Sequence, residues 1–168
     1  MTPYQEDRGT LDADDLVLVR EGECEAGTAP SRAARVHQAI YKKHPEIGSI
    51  INAYPVNATA FGVTGAVLDS RTIPESYIVI RQVARVPFGL QFEDVEATAG
   101  EVSLKRPAAL LENDGVLVTG ADILQAFDRL EVLESTAEAI INTCPIGKLE
   151  PMPGEVTREL DRVFLKEM

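Results

Sequence analysis

An α/β or α+β architecture, a sheet covered by helices, follows from three observations in this chain. Short apolar or β-branched runs at Gly48–Ala53, Val83–Val86, Ala108–Leu111 and Val116–Val118 alternate with segments of helical period. Asn113-Asp114-Gly115 places strong turn chemistry between two of those runs, since Asn, Asp and Gly tolerate positive φ. The longest apolar periodicity runs beyond Gly120 through Ile123, Ala126, Phe127, Leu130, Leu133, Ala137, Ile140 and Ile141, which share one helical face.

The elements follow in order. Leu16-Val-Leu-Val19 suits a short buried strand, and Glu21–Thr28 reads as a loop rich in Gly and Glu. Ser31 is a suitable N-cap for a helix to about Lys43, and His44-Pro45 ends it because a residue before proline avoids the helical region. The strand at Gly48–Ala53 precedes a short helix over Asn57–Val63, closed by Gly65. Pro74 at a first helical turn predicts a helix over Glu75–Ile80. Asp94–Leu104 reads as helical, weakened at Gly100. Pro145 stops the long helix, and a last amphipathic helix extends from Glu155 to about Lys166 with Val156, Leu160, Val163 and Phe164 on its apolar side.

With 168 residues, 45% apolar and 26% charged, the chain is expected to form one globular domain over 1–168. Its net charge of −11 disfavours nucleic acid and anionic membrane surfaces as partners. Cys24 and Cys144, far apart and outside any Cys-x-x-Cys pair, read as reduced thiols of a cytoplasmic protein. The polar start, Met-Thr-Pro-Tyr-Gln-Glu-Asp, lacks the apolar core of a signal peptide, and no apolar run is long enough to span a bilayer. Walker, Gly-x-Gly-x-x-Gly, Gly-x-Ser-x-Gly and His-Glu-x-x-His motifs are absent from the sequence.

Several ordered blocks carry a resemblance. Pro30-Ser-Arg-Ala-Ala-Arg-Val-His-Gln-Ala-Ile-Tyr41, His44-Pro-Glu-Ile-Gly-Ser-Ile-Ile51 and the stretch from Leu110 through Glu134 resemble the class II aldolase/adducin family, over roughly residues 10 to 150. The resemblance implies a mostly antiparallel central sheet sandwiched by helices, here shortened at the N-terminus. Residues 1–10 and 151–168 would then be peripheral. It also implies a homo-oligomer, often a cyclic tetramer in the family. Enzymes of that family act on small sugar phosphates as aldolases or epimerases. They use a divalent metal, usually zinc, to polarise a carbonyl and stabilise an enediolate.

Carried over residue by residue, the family's three metal histidines fall on Asn52, Tyr54 and Asp114, and its acid/base glutamate falls on Ala33. Oxygen donors cannot match neutral imidazole for zinc, and alanine transfers no proton. No resident metal is therefore expected. Of the family's Ser-Ser phosphate pair, Ser31 remains and Arg32 takes the second place, where it can still grip an anion. Tyr77 falls near a tyrosine that some family aldolases supply from a neighbouring subunit as proton donor. His37, between Val36 and Ile40, reads as a packed or hydrogen-bonded structural histidine, and His44 as a solvent-facing turn residue. Four replacements predict a chain that has given up aldol chemistry and serves as a binding or oligomerisation module, as the adducin head domain does. The alternative is a divergent sugar-phosphate aldolase or epimerase with a rebuilt site. Its mark would be a pocket where Tyr77, Tyr54 and Asp114 converge with Arg32 and show perturbed ionisation. A phosphorylated small molecule is the expected ligand.

Overall fold

The computed structural model describes residues 1–165. A four-stranded sheet forms its centre, built from β3 (Ser49–Ala53), β4 (Ala84–Val86), β5 (Ala108–Leu111) and β6 (Val116–Gly120), in the order β3-β6-β5-β4. The pairs β3–β6 and β5–β6 are antiparallel and β4–β5 is parallel, so the expected mostly antiparallel, helix-covered sheet stands. β5 and β6 are buried along their whole length, as central strands covered on both faces must be. A separate two-stranded hairpin joins β1 (Val19–Arg20) to β2 (Glu23–Cys24).

Helices cover both faces. On one, α1 (Ala34–Lys43) and α5 (Val95–Gly100) pack with α4 (Leu90–Glu93) around Val36, Ile40, Val86, Val102 and Leu117. On the other, α2 (Val56–Gly62), α3 (Pro74–Ile80) and α6 (Ile123–Thr143) enclose Phe61, Ile80, Leu110, Val118 and Leu133. A final helix, α7 (Gly154–Phe164), docks on α3, with Tyr77 donating its hydroxyl to Asp161 at 3.0 Å. The expected end at Lys166 lies outside the described residues.

Four sequence expectations need correction. Leu16–Val19 is not a buried strand: Val17 is buried, but Leu16 and Leu18 are more than half exposed. Pairing is confined to β1 and β2, because Glu21 and Gly22 at positive φ reverse the chain at once inside the expected loop. Ser31 does not cap α1. The helix starts at Ala34 with Ala33 as its N-cap, and the Ser31 hydroxyl only accepts a long 3.4 Å bond from the Ala33 N–H. The expected helix over Asp94–Leu104 ends at Gly100, while Gly89 at φ 83° starts the unforeseen helix α4 just before it. The apolar face of α6 is rotated from the expected one. Ile123 and Phe127 are more than half exposed, while Arg129 is buried and donates to the carbonyls of Thr119 and Leu104 at 2.8 and 3.3 Å. Closing those two carbonyls, one in β6 and one in the turn ahead of β5, turns that side of the helix inward.

Two close approaches fix where the strand ends lie. A Cβ on Gly48 would come within 2.1 Å of the Ala121 carbonyl oxygen. One on Gly115 would come within 2.4 Å of the Ala53 carbonyl oxygen and 2.8 Å of Tyr54 Cδ1. Only glycine lets the β5–β6 turn lie against the end of β3. Asn113, at φ 52°, supplies the reversal in that turn, and the Leu111 N–H closes it on the Gly115 carbonyl at 2.9 Å.

Candidate active site

The β5–β6 turn, the end of β3 and the approach to α1 meet at one place. Asn52 is on β3, Tyr54 follows it directly, Asp114 is in the turn, and Ser31, Arg32 and Ala33 lead into α1. All six line a single cavity of about 240 Å³, together with Gln91 and Phe92 of α4 and Arg8 of the N-terminal segment. Asn52, Tyr54 and Asp114 converge there with Arg32, but Tyr77, which the rebuilt-site alternative also brought to the pocket, does not. An adjoining cavity of about 560 Å³ shares Arg8, Ser31, Ala33 and Asn52 with the first. Leu16, Leu18, Tyr41 and Ile123 give it an apolar wall.

The polar atoms are individually placed. His37 Nε2 stands 2.6 Å from Asn52 Oδ1, and burial of the imidazole, opposed by that bond, holds its pKa below the ordinary histidine value. Gln91 is buried and donates Nε2–H to Asp114 Oδ2 at 2.8 Å. Asp114 Oδ1 has no partner among the described residues and is not enclosed, so it opens on the cavity that Asp114 lines. Arg32 lies over the Phe92 ring at 5.4 Å and Arg8 over the Tyr54 ring at 6.0 Å. Each aromatic face steadies a guanidinium without using up its hydrogen-bond donors. The lining also carries the carboxylates of Glu6 and Asp114, so the two guanidinium groups offer charge-assisted donors to an anionic ligand within a cavity of balanced charge.

Ser31 is fixed by its backbone, which donates to the Thr2 carbonyl at 3.0 Å. Tyr77 does not line this cavity. It faces a different depression with Arg71, Arg81 and Ser70, where partial burial and then the bond to Asp161 raise its phenol above the usual range. His44 is not solvent-facing as expected: its Nε2 meets the Ala99 carbonyl at 3.0 Å and its Nδ1 lies 3.5 Å from Glu46. That contact holds the end of α1 against α5. Arg8 and Gln91 were missed by the sequence reading. Nothing local marks Arg8, and a polar residue after Pro87-Phe88-Gly89 signals a turn rather than a buried amide.

A zinc ion does not fit these side chains. Asn52 Oδ1 and Asp114 Oδ2 are already engaged, and Tyr54 offers a phenol, 60% exposed, in place of an imidazole. Among the described residues no group of three or more His, Cys, Asp or Glu side chains could hold a metal ion.

Residues 1–141 match the family described as Class II Aldolase and Adducin N-terminal domain. The chain is 34% identical, over 82% of its length, to a protein from Haemophilus influenzae named 3-oxo-tetronate 4-phosphate decarboxylase. It is 32% identical, over 83% of its length, to a protein of that name from Pectobacterium atrosepticum. The chain spans 69% and 66% of the length of these two relatives. A solved L-fuculose 1-phosphate aldolase superposes with a TM-score of 0.80 at 25% identity, covering 98% of this chain and 78% of that one. The named relatives overturn the expectation of a degenerate, binding-only module: proteins this similar over most of the chain carry the names of sugar-phosphate enzymes.

Proposed function

Because the chain belongs to the class II aldolase and adducin N-terminal domain family, we propose that it is a carbon–carbon lyase acting on a small phosphorylated oxo acid, of the kind named for its decarboxylase relatives. The observation that carries this reading is the single cavity lined by Arg8, Arg32, Asn52, Tyr54 and Asp114. Arg8 and Arg32 would hold the phosphate and carboxylate charges. In a 3-oxo acid the bond to the carboxylate carbon breaks and carbon dioxide leaves. The electron pair moves into an enolate whose charge sits on the former ketone oxygen. A hydrogen-bond donor at that oxygen stabilises the charge as it develops. A proton then returns to the carbon that lost the carboxylate, and Tyr54, which lines the cavity, would relay it. Asp114 Oδ1 would accept from a substrate hydroxyl and fix its orientation.

The reading is metal-independent, because the donor set above does not suit zinc. Cytoplasmic placement belongs to the same proposal and is supported by two exposed free thiols, Cys24 and Cys144. Assembly into a homo-oligomer is supported by the exposed Ile123, Leu124 and Phe127 on one end of α6. A net charge of −11 speaks against nucleic acid or an anionic membrane as partner. No helix among the described residues is long and apolar enough to cross a membrane.

The test is carbon dioxide release from 3-oxo-tetronate 4-phosphate generated in situ. Turnover should survive EDTA. Arg32→Met should lower kcat/KM roughly 10- to 100-fold, the equivalent of one charge-assisted contact. Release no faster than without protein would sink the lyase reading. Activity lost in EDTA and restored by zinc would overturn its metal-independence.

A further inference from the structure

His37 is a half-buried titratable group beside the cavity to which the lyase reading gives no task. It projects from α1 toward β3, where its Nε2 lies 2.6 Å from Asn52 Oδ1. Two proton arrangements are conceivable at such a pair. With the proton on Nε2, the imidazole donates to Asn52 Oδ1 and the bare Nδ1 needs no acceptor. With the proton on Nδ1, Nε2 would be the acceptor and the Asn52 amide would have to be reversed from its placement. The Oδ1 beside Nε2 matches the first arrangement. Burial, which holds the imidazole below its ordinary pKa, keeps it neutral at pH 7.

That arrangement settles which end of the amide points outward. Asn52 Nδ2 has no partner among the described residues, and it is not one of the enclosed orphans, which are Thr59 Oγ1, Thr72 Oγ1 and Arg81 Nη2. Asn52 lines both cavities. Its amide nitrogen is therefore open to the space that Asn52 lines, beside Arg8.

We propose that His37 is a positioning residue: by donating Nε2–H to Asn52 Oδ1 it turns the Asn52 amide nitrogen into the cavity as the hydrogen-bond donor to the oxygen that gains charge in the reaction. The catalytic consequence rests on the lyase reading; the geometry does not. A free asparagine amide can flip and offer a cation-seeking oxygen, which would repel an enolate. Held by His37, it presents only N–H, with no reorganisation required when charge develops. Asn52 thus does for the substrate oxygen what a Lewis acid could do, by a different chemistry.

The experiment has two arms. In the first, nitrogen-15 histidine-labelled protein is examined by NMR at pH 7, and the His37 ring should be the neutral Nε2–H tautomer. An Nδ1–H tautomer would overturn the proposal whether or not the protein turns over substrate. In the second arm, carbon dioxide release is measured for His37→Phe, His37→Gln, Asn52→Leu and the double variant His37→Phe/Asn52→Leu, each checked by thermal unfolding. His37→Phe should lower kcat about 100-fold with KM within about twofold, the signature of a lost transition-state donor. Gln, whose amide reaches the place of Nε2, should restore most of the rate. The double variant should be no slower than Asn52→Leu, because the two residues act as one unit. Losses that multiply, or a Gln variant as slow as Phe at equal thermal stability, would overturn the proposal. If wild-type protein releases no carbon dioxide, the lyase reading fails and the NMR arm alone decides the geometry. If His37→Phe fails to fold, His37→Gln against Asn52→Leu decides the second arm.

Discussion

Gly115→Ala is the sharpest probe of how the fold holds the site. The added methyl would sit 2.4 Å from the Ala53 carbonyl oxygen and 2.8 Å from Tyr54 Cδ1. The carbonyl is backbone in the β3–β6 ladder and cannot swing away as a side-chain tip could. Relief to an ordinary contact requires the turn and the end of β3 to part by about 1 Å, which breaks a hydrogen bond that tolerates far less. Overpacking of this kind costs about 1–3 kcal/mol, and one lost ladder bond adds about 1 kcal/mol. At roughly 2–4 °C per kcal/mol for a chain of this size, Tm should fall by roughly 5–15 °C. The same shift moves Asn52 and Tyr54 away from Asp114 and should lower kcat about 100-fold, as a misplacement of about 1 Å does. Thermal unfolding and carbon dioxide release check both. Gly147→Ala is the control, because nothing lies within 4 Å of its added Cβ. A Gly115→Ala protein within about 2 °C of wild type and equally active would show that the turn does not set the strand spacing, since the predicted loss is several-fold larger.

Glu134 on α6 accepts from the Asn57 N–H and side-chain amide at 2.9 Å each and from the Ala58 N–H at 2.8 Å, so one carboxylate closes the start of α2. Glu134→Ala should cost about 2–4 kcal/mol and Glu134→Gln roughly half of that, read from urea unfolding; equal stability of all three proteins would refute the capping role. The folded-state pKa of His37 lies below the ordinary histidine value of 6.5, so the unfolded chain takes up the proton first as pH falls. Its contribution to stability is complete above about pH 6.5 and declines as pH falls toward the folded-state pKa. The stability difference between wild type and His37→Gln should therefore shrink below pH 6.5, and a difference that grows there would contradict the burial argument.

The parts of the fold that sequence made legible were those fixed by local chemistry. Asn113-Asp114-Gly115 demanded a turn, Pro74 a helix start and His44-Pro45 a helix end, and the structure has all three. The failures came where long-range partners overrode local signals. The apolar run at Leu16–Val19 found only a two-residue partner strand, and α6 turned to bury Arg129 because the Thr119 and Leu104 carbonyls needed donors. The same division holds at the site. Asn52, Tyr54, Asp114, Ser31 and Arg32 were legible because blocks of sequence ordered them, and they do share a cavity. Arg8, Gln91 and the role of His37 were not, since each depends on a contact made far along the chain. Tyr77 lies outside this chain's own cavity, in the depression with Ser70, Arg71 and Arg81.

Treating four replaced residues as the end of catalysis rested on counting identities rather than positions. Backbone geometry, not side-chain identity, brings Asn52 and Asp114 together: the β3–β6 register pairs Ala53 with Val116, and Gly115 permits the close approach. Any residue at those positions faces the same cavity, so substitution changes the chemistry offered without dispersing the site. Imidazoles there would converge on a cation. An amide fixed by a half-buried histidine and a carboxylate fixed by a buried glutamine instead offer a donor and an acceptor with preset directions. Side chains that had lost their task would face no need for such partners, since an exposed amide or carboxylate is satisfied by water. Both partners here are drawn from other helices, α1 and α4, and each leaves one polar atom of Asn52 or Asp114 open to the cavity beside two guanidinium groups.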